Sequence, residues 1–212
     1  PMGSAQTVSC SFNESGNTLI PESVYREEHQ AHYLDFNFDT PEQITIESDH
    51  LILMEARNVY SLPEKHEVIS EFFPQCRFFH ESSIEIELAL RLARMNGKDG
   101  VYLFFSDDFF RLILVRDGHL QFANTFQHAS EMDVAYYVLY VFDQLNINSK
   151  KIKTHATGWV DKDGAELTML REYIGPVQLL KNCELADLQF TEKKPGEAQR
   201  LFTLFHQVLC AS

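Results

Sequence analysis

Two histidines three residues apart, His29 and His32, come nearest in this 212-residue chain to a metal pair. On a helix that spacing puts both imidazoles on one face, where they could share a divalent ion. No motif fixes a third ligand, and His50, His66 and His80 are scattered, so solvent-facing or hydrogen-bonded histidines and no metal are the expectation. Paired carboxylates fare no better. Glu85 and Glu87 lie two apart, so on a helix they point about 160–200° from each other, cannot share a substrate atom, and are expected to be surface charges. Cys10, Cys76, Cys183 and Cys210 have no C-x-x-C spacing and are expected to be reduced thiols, mostly buried. No Ser/His/Asp or Cys/His arrangement carries a recognisable local signature.

Composition narrows the function classes further. The formal charge is −13, and binding a phosphate backbone needs clustered Lys and Arg, which the sequence lacks. Lys150-Lys151 and Lys193-Lys194 are isolated pairs expected to be solvated loop charges. Nucleic acid is therefore not an expected partner. No apolar stretch approaches the roughly 20 residues that span a bilayer, so direct membrane insertion is not expected either. No signal-peptide pattern is read in the sequence, Pro1-Met-Gly-Ser4 is expected to follow a start that lies upstream or to be extraneous, and a cytoplasmic location is expected.

The elements that must position any site divide at Met95 to Gly100, where two glycines and polar residues stop a helix. This predicts units of residues 1–97 and 98–212. In the first, Thr7 to Phe12 alternates as a strand, and Pro21 opens a helical segment running to about Tyr33, a position where its missing N–H costs nothing. Gln43 to Glu47 and Leu51 to Tyr60 hold strands, Pro63 starts a short helix ending before Pro74, and Arg77 to Phe79 is a strand. Ser82 then caps a helix to Met95, with Glu85 reaching back as in a capping box.

The second half is more regular. Val101 to Phe105 is apolar throughout, as a strand buried on both faces must be. Phe110 to Val115 and Leu120 to Phe126 form a hairpin about Asp117-Gly118, the dipeptide a tight turn favours. Ser130, with Asp133, caps a helix to Leu145 that is apolar almost all round and needs cover on several sides. A strand at Ile152 to Ala156, a helix from Gly164 to Tyr173 and a strand at Val177 to Leu180 follow. A meander feeding right-handed crossovers gives a mixed sheet with helices on its faces. Beyond Thr191 to Gly196, Leu201, Phe202, Leu204, Phe205, Val208 and Leu209 mark an amphipathic terminal helix expected to pack back on the domain.

This order resembles the ribonuclease H-like unit, and two such units in tandem resemble the actin-like ATPase fold. The local sequence is similar to a functionally uncharacterised bacterial family of actin-like-fold proteins. The similarity is carried by Leu19-Ile-Pro-Glu22, the acidic stretch Glu27 to Phe38, Asn58 to Pro63, Phe78 to Ser83, the hairpin Gly118 to Phe126 and the helix Tyr136 to Leu145. More distantly, the hairpin and helix resemble the cytoplasmic actin-like subunits of pilus-assembly and type II secretion machines. Such a family begins with a further strand hairpin ahead of a segment like Thr7 to Phe12. The sequence has no room for it, so the resemblance implies an α/β protein of two ribonuclease H-like units with mixed sheets, the first incomplete.

The resemblance also implies a nucleotide test. Active actin-like proteins cradle phosphates in Asp-x-Gly hairpins, where glycine lets backbone N–H groups reach the anion. The matching turn, Ser106 to Arg111, has no glycine and two phenylalanines. Within it Asp107 and Asp108 are the candidates to position magnesium or water, and Arg111 the candidate to meet a phosphate. The bland expectation is that the aspartates sit in an exposed turn and Arg111 on the outward face of its strand. At the adenosine loop the fold group presents two adjacent glycines, whereas this chain has Gly158 beside Trp159, an indole that would stack on a base or anchor the loop. A ribonuclease H-type nuclease would need carboxylates on the first and fourth strands; Val101 to Phe105 and Ile152 to Ala156 have none, and Asp107, Asp108, Glu131 and Asp133 fall in turns or a helix start. The expectation is a non-catalytic binding or scaffold protein, with a protein partner, no cofactor and a degraded nucleotide site. The alternative is an ATPase with unusual phosphate loops using ATP and magnesium.

Overall fold

A proline inside an alternating segment can close a strand as well as open a helix, provided its missing N–H faces no partner strand. In the computed structural model Pro21 does the former. The structure describes residues 8–13, 16–39, 44–97, 99–180 and 200–207. These form two compact units divided within one helix: the first holds the residues up to Glu87 together with Gln207, the second Leu88–His206.

In the first unit, β1 (Ser9–Phe12) pairs in parallel with β5 (Arg77–His80). A second sheet has β4 (Ala56–Ser61) between two antiparallel neighbours, β2 (Asn17–Pro21) and β3 (Ile46–Leu51). The helix expected from Pro21 starts later: a 3-10 turn at Glu27–His29 leads into α1 (Gln30–Asp35). Pro21 sits at the end of an edge strand, where no second neighbour asks for its N–H. α2 (Lys65–Phe72) and α3 (Glu81–Asn96) follow the expected positions. Cys10 and Cys76 are free thiols but only half-buried, and burial raises the pKa of each; Cys183 and Cys210 lie outside the described residues.

α3 corrects two expectations. It begins at Glu81, one residue ahead of the expected cap, and Ser82 turns its hydroxyl inward. Glu85 and Glu87, expected as surface charges, are 3% and 4% exposed. The helix is buried at every position from Ser82 to Leu90, so it offers no solvent face over those two turns. The Glu87 carboxylate accepts a hydrogen bond from the Leu53 N–H at 2.9 Å.

The second unit follows the expected order. β6 (Gly100–Phe105), β7 (Phe109–Arg116) and β8 (His119–Gln127) form the antiparallel meander. After α4 (Glu131–Gln144) the chain enters β9 (Thr154–Gly158), parallel to β6, and after α5 (Ala165–Ile174) it enters β10 (Val177–Leu179), parallel to β9. The sheet order is β10-β9-β6-β7-β8. Asp117 and Gly118 take φ of 52° and 69°, as a two-residue turn of this hand requires. Val101, Leu103, Phe110, Leu112, Val138 and Leu170 are among the residues of one continuous core. α4 buries Val134, Val138 and Val141 but leaves Met132, Tyr136 and Tyr140 exposed, so its apolar surface is covered on one side. α6 (Phe202–His206) buries Phe202 and exposes Leu204; Val208 and Leu209 of the expected terminal helix lie outside the described residues, as does the stretch Thr191 to Gly196.

Two local features should show in stability. The Ser130 hydroxyl accepts from the Asp133 N–H at 3.3 Å and the Asp133 carboxylate accepts from the Ser130 N–H at 3.0 Å, a reciprocal cap. Ser130→Ala should cost about 1 kcal/mol in urea unfolding; a change indistinguishable from zero would show that the cap is not sustained in solution. Gly158 has φ +91°, and a Cβ there would lie 2.2 Å from the Phe105 carbonyl oxygen. Gly158→Ala is therefore expected to destabilise by at least about 2 kcal/mol. A neutral or stabilising result would refute this close strand packing.

Candidate functional site

The register of the second unit brings the sequence-predicted residues to one end of its sheet. Phe105 stands opposite both Phe110 on β7 and Gly158 on β9, so the turn Ser106 to Asp108 and the Gly158-Trp159 loop are neighbours. Asp107 and Asp108 are exposed, as a solvated turn requires. The Ser106 N–H donates to the Phe109 carbonyl at 2.8 Å, closing the turn on itself, and the Asp108 carbonyl accepts from the His128 N–H at 3.0 Å. Beneath the turn Phe110 is fully buried and packs on the rings of Phe105 and Phe126, with centroids 5.7 and 5.5 Å away.

Arg111 is not on an outward face. It is 3% exposed, with its guanidinium 5.0 Å from the centre of the Phe109 ring. The cause is that β7 lies between β6 and β8 and is buried from Phe109 to Val115, so alternation along it does not produce a wet side. It therefore presents no open cation to a phosphate at the turn. Gly158 is needed by the strand packing already described. Trp159 is half-exposed, its N–H donates to the Phe105 carbonyl at 2.9 Å, and the Arg200 guanidinium lies 5.3 Å over its ring. One indole face thus already carries a cation.

The first unit contains a polar network that sequence patterning missed. Asp49 on β3 stands opposite Asn58 on β4, and Asn17 on β2 opposite Tyr60. The Asp49 carboxylate accepts from the Tyr60 hydroxyl at 3.1 Å, from the His80 backbone N–H at 2.9 Å and from the Ser83 hydroxyl. The Asn58 amide donates to the Ser82 and Ser83 hydroxyls at 2.9 and 2.8 Å and accepts from Asn17 at 2.8 Å. The Ser82 hydroxyl in turn lies 2.7 Å from Nδ1 of His80. Because the Ser82 backbone N–H also points at that nitrogen, at 3.2 Å, Nδ1 is an acceptor and the Ser82 hydroxyl donates to it. Burial pushes the Asp49 pKa up to about 6 against the lowering effect of its donors, and pushes the Tyr60 pKa upward too.

This network has the residue types of a hydrolase triad but different connections. In a working relay one imidazole nitrogen faces the serine and the other the carboxylate. Here Asp49 contacts the His80 main chain, and both Ser82 and His80 are almost wholly buried. A cleft of about 430 Å³ beside it is lined by Glu47, Asp49, His50, Arg57, Ser83 and Glu87, among others. At its side Glu22 accepts two hydrogen bonds from Arg57, at 2.9 and 3.3 Å, which hold its carboxyl below the usual range. His29 and His32 are exposed with rings 5.8 Å apart, and among the described residues no group of three His, Cys, Asp or Glu could hold a metal. The sequence signal for the network was period-two polarity at Asn58 and Tyr60, two inward positions of a strand.

Among solved structures, the chain is similar to a Bacteroides thetaiotaomicron protein with an actin-like ATPase fold and unknown function. The TM-score is 0.75 at 22% identity, covering 84% of this chain and 69% of that one. The expected actin-like ATPase fold is thereby established. The AlfA filament bound to AMPPNP matches with a TM-score of 0.39 at 15% identity, over 64% of this chain and 47% of that one, too low to bear on it. No curated protein matches. Residues 6–177 match the family described as protein of unknown function DUF3822, and the chain belongs to that family.

Proposed function

We propose that this protein is a non-catalytic binding or scaffold protein whose actin-like fold has lost its nucleotide site. The observation that carries this reading is the turn Ser106 to Phe109. It has no glycine, its Ser106 N–H is spent on the Phe109 carbonyl, and Phe110 fills the space beneath it. Gly158 answers a packing need, and Arg200 occupies one face of Trp159. In the first unit, Ser82, His80 and Asp49 are wired to one another and to backbone for rigidity. The partner in this reading is another protein, met in a bacterial cytoplasm as are the secretion and pilus-assembly subunits that the hairpin and helix resemble. A net charge of −13 disfavours nucleic acid, and no described helix is long and apolar enough to cross a membrane.

One observation favours a second reading, an ATPase with unusual phosphate loops. Asp107 and Asp108 are exposed at the sheet end that also holds Gly158, where they would hold magnesium against a phosphate. Thermal unfolding of the full chain separates the two. A nucleotide present at a hundredfold its dissociation constant adds about 2.7 kcal/mol, or several degrees in Tm at this length. The expected result with millimolar ATP and magnesium is no shift. A shift that Asp107→Ala removes would overturn the loss of the nucleotide site, and release of phosphate from ATP would then establish the ATPase.

The structural role of the buried network has its own test. Asp49 binds a proton more tightly folded, near pH 6, than at its ordinary 3.8. Its contribution to stability is then full below about pH 4 and is lost as pH rises through 6. Asp49→Asn carries no such titration. Relative to the parent, the variant should gain stability between pH 4 and pH 7 by up to about 3 kcal/mol, the worth of a two-unit displacement. A difference between the two proteins that stays constant over that range would sink the assignment.

A further inference from the structure

Three basic side chains of this acidic chain line one concave place, and it lies away from the turn just described. We propose that the cavity at the opposite end of the second unit's sheet binds a small organic phosphomonoester. This inference does not depend on whether nucleotide binds at Asp107 and Asp108. The cavity measures about 420 Å³ and forms where the chain enters β6 and β9 and leaves β7. Arg116, Lys151 and Lys153 line it, brought together from two segments that the sequence keeps 35 residues apart. Lys150-Lys151, an isolated pair in the sequence, thus contributes one member of a three-cation cluster.

The charge balance selects the ligand. One carboxylate, Asp99, also lines the cavity, but its two oxygens accept the Asp117 and Gly118 backbone N–H groups at 2.5 and 3.2 Å and serve the hairpin turn. Three cations less one carboxylate leave a formal charge of +2, matching a phosphomonoester at about −1.5 to −2 near neutrality. Arg116 can meet such a group bidentately while the two lysines act as point charges. A concave wall concentrates their field, in a chain whose formal net charge is −13. The apolar side is supplied by Val115, Ile147 and Ile152. It gives the organic portion of the ligand a surface that inorganic phosphate alone would leave to water.

The backbone carrying the cations is held in place. The Val101 N–H donates to the Lys153 carbonyl at 2.9 Å, and a Cβ on Gly100 would lie 2.4 Å from the same oxygen, so β6 closes tightly on Lys153. The Lys151 and Ile152 N–H groups both donate to the Asn148 carbonyl, at 2.9 and 3.2 Å, and the Lys150 N–H donates to the Asn148 side chain at 3.0 Å. Binding would order side chains and leave the loop unchanged, which limits its entropy cost.

Calorimetric titration of the full chain with phenyl phosphate, at fixed low ionic strength, tests the assignment. Saturable one-to-one binding is expected, tighter than inorganic phosphate and tighter than benzoate. Arg116→Ala and Lys153→Ala should each weaken it about tenfold or more, the scale of one lost charge-assisted hydrogen bond. Lys153→Arg should retain it, and Asp107→Ala should leave it unchanged. Both cations are exposed, so melting in chloride buffer should match the parent and confirm that the alanine variants fold. Absence of saturable binding, benzoate binding as tightly as phenyl phosphate, or full affinity in the two folded alanine variants would each overturn the proposal.

Discussion

The pairing of β6 with β9 is the constraint on which the second unit depends, because the two strands approach so closely that neither end leaves room for a side chain. At one end Gly100 meets the Lys153 carbonyl, and at the other Gly158 meets the Phe105 carbonyl. Between them five residue pairs stay in parallel register, from Val101 with Thr154 to Phe105 with Gly158. A one-residue slip would bring a residue with a side chain to positions where only glycine fits. The two glycines therefore fix more than local backbone. They set where the Ser106 turn projects at one end, and where Lys153 emerges beside Arg116 at the other.

The first unit solves burial differently. Its central strand carries Asn58 and Tyr60 at inward positions, and α3 brings Ser82 and Ser83 to meet them. Burying such groups unpaired costs a few kcal/mol each. Each is paired instead, through a chain running from Asn17 to Asn58, on to Ser82 and then to His80. Asp49 is the costly member, since the low dielectric that strengthens its three hydrogen bonds also penalises its charge. The raised pKa expresses that balance: desolvation outweighs the donors. Such a network demands one register among β2, β3, β4 and the start of α3, because a slip leaves several buried groups without partners at once.

What could be read from sequence follows from the range of the forces involved. The second unit was legible because its signals are local: an all-apolar strand, Asp117-Gly118 in a turn, and Ser130 three residues before Asp133. The expected order of strands and helices in that unit is the observed one, and the actin-like fold that the resemblance implied is that of the similar solved structure. Pro21 misled because a proline is acceptable both at a helix start and at the end of an edge strand, and the choice depends on which strand pairs with it. Glu85, Glu87 and Arg111 misled for a shared reason. Charged residues were assigned to solvent, but α3 and β7 have no solvent face where these side chains sit. The Asp49 network joins segments up to 66 residues apart, from Asn17 to Ser83, and no window along the chain contains it. Gly158, read from sequence as a candidate at the adenosine loop, has a packing role that no local window shows, since its lack of a side chain makes room for the Phe105 carbonyl.

The two ends of the second unit's sheet also differ electrostatically, and this bears on where an anion can sit. Open α/β sheets usually bind ligands beyond the carboxyl ends of their parallel strands. In this chain that end presents Asp107 and Asp108, two like charges that repel a phosphate unless a divalent cation intervenes. Arg111, the cation that sequence places nearby, is withdrawn beneath the surface. The amino ends of β6 and β9 present Arg116, Lys151 and Lys153 around a cavity whose one carboxylate is turned to a hairpin. Strand direction sets which end the backbone favours for an anion, and side-chain charge sets which end this chain favours. With no glycine cradle at Ser106 to offer backbone N–H groups, the side-chain charge is what distinguishes the two ends, and it points to the amino ends of β6 and β9.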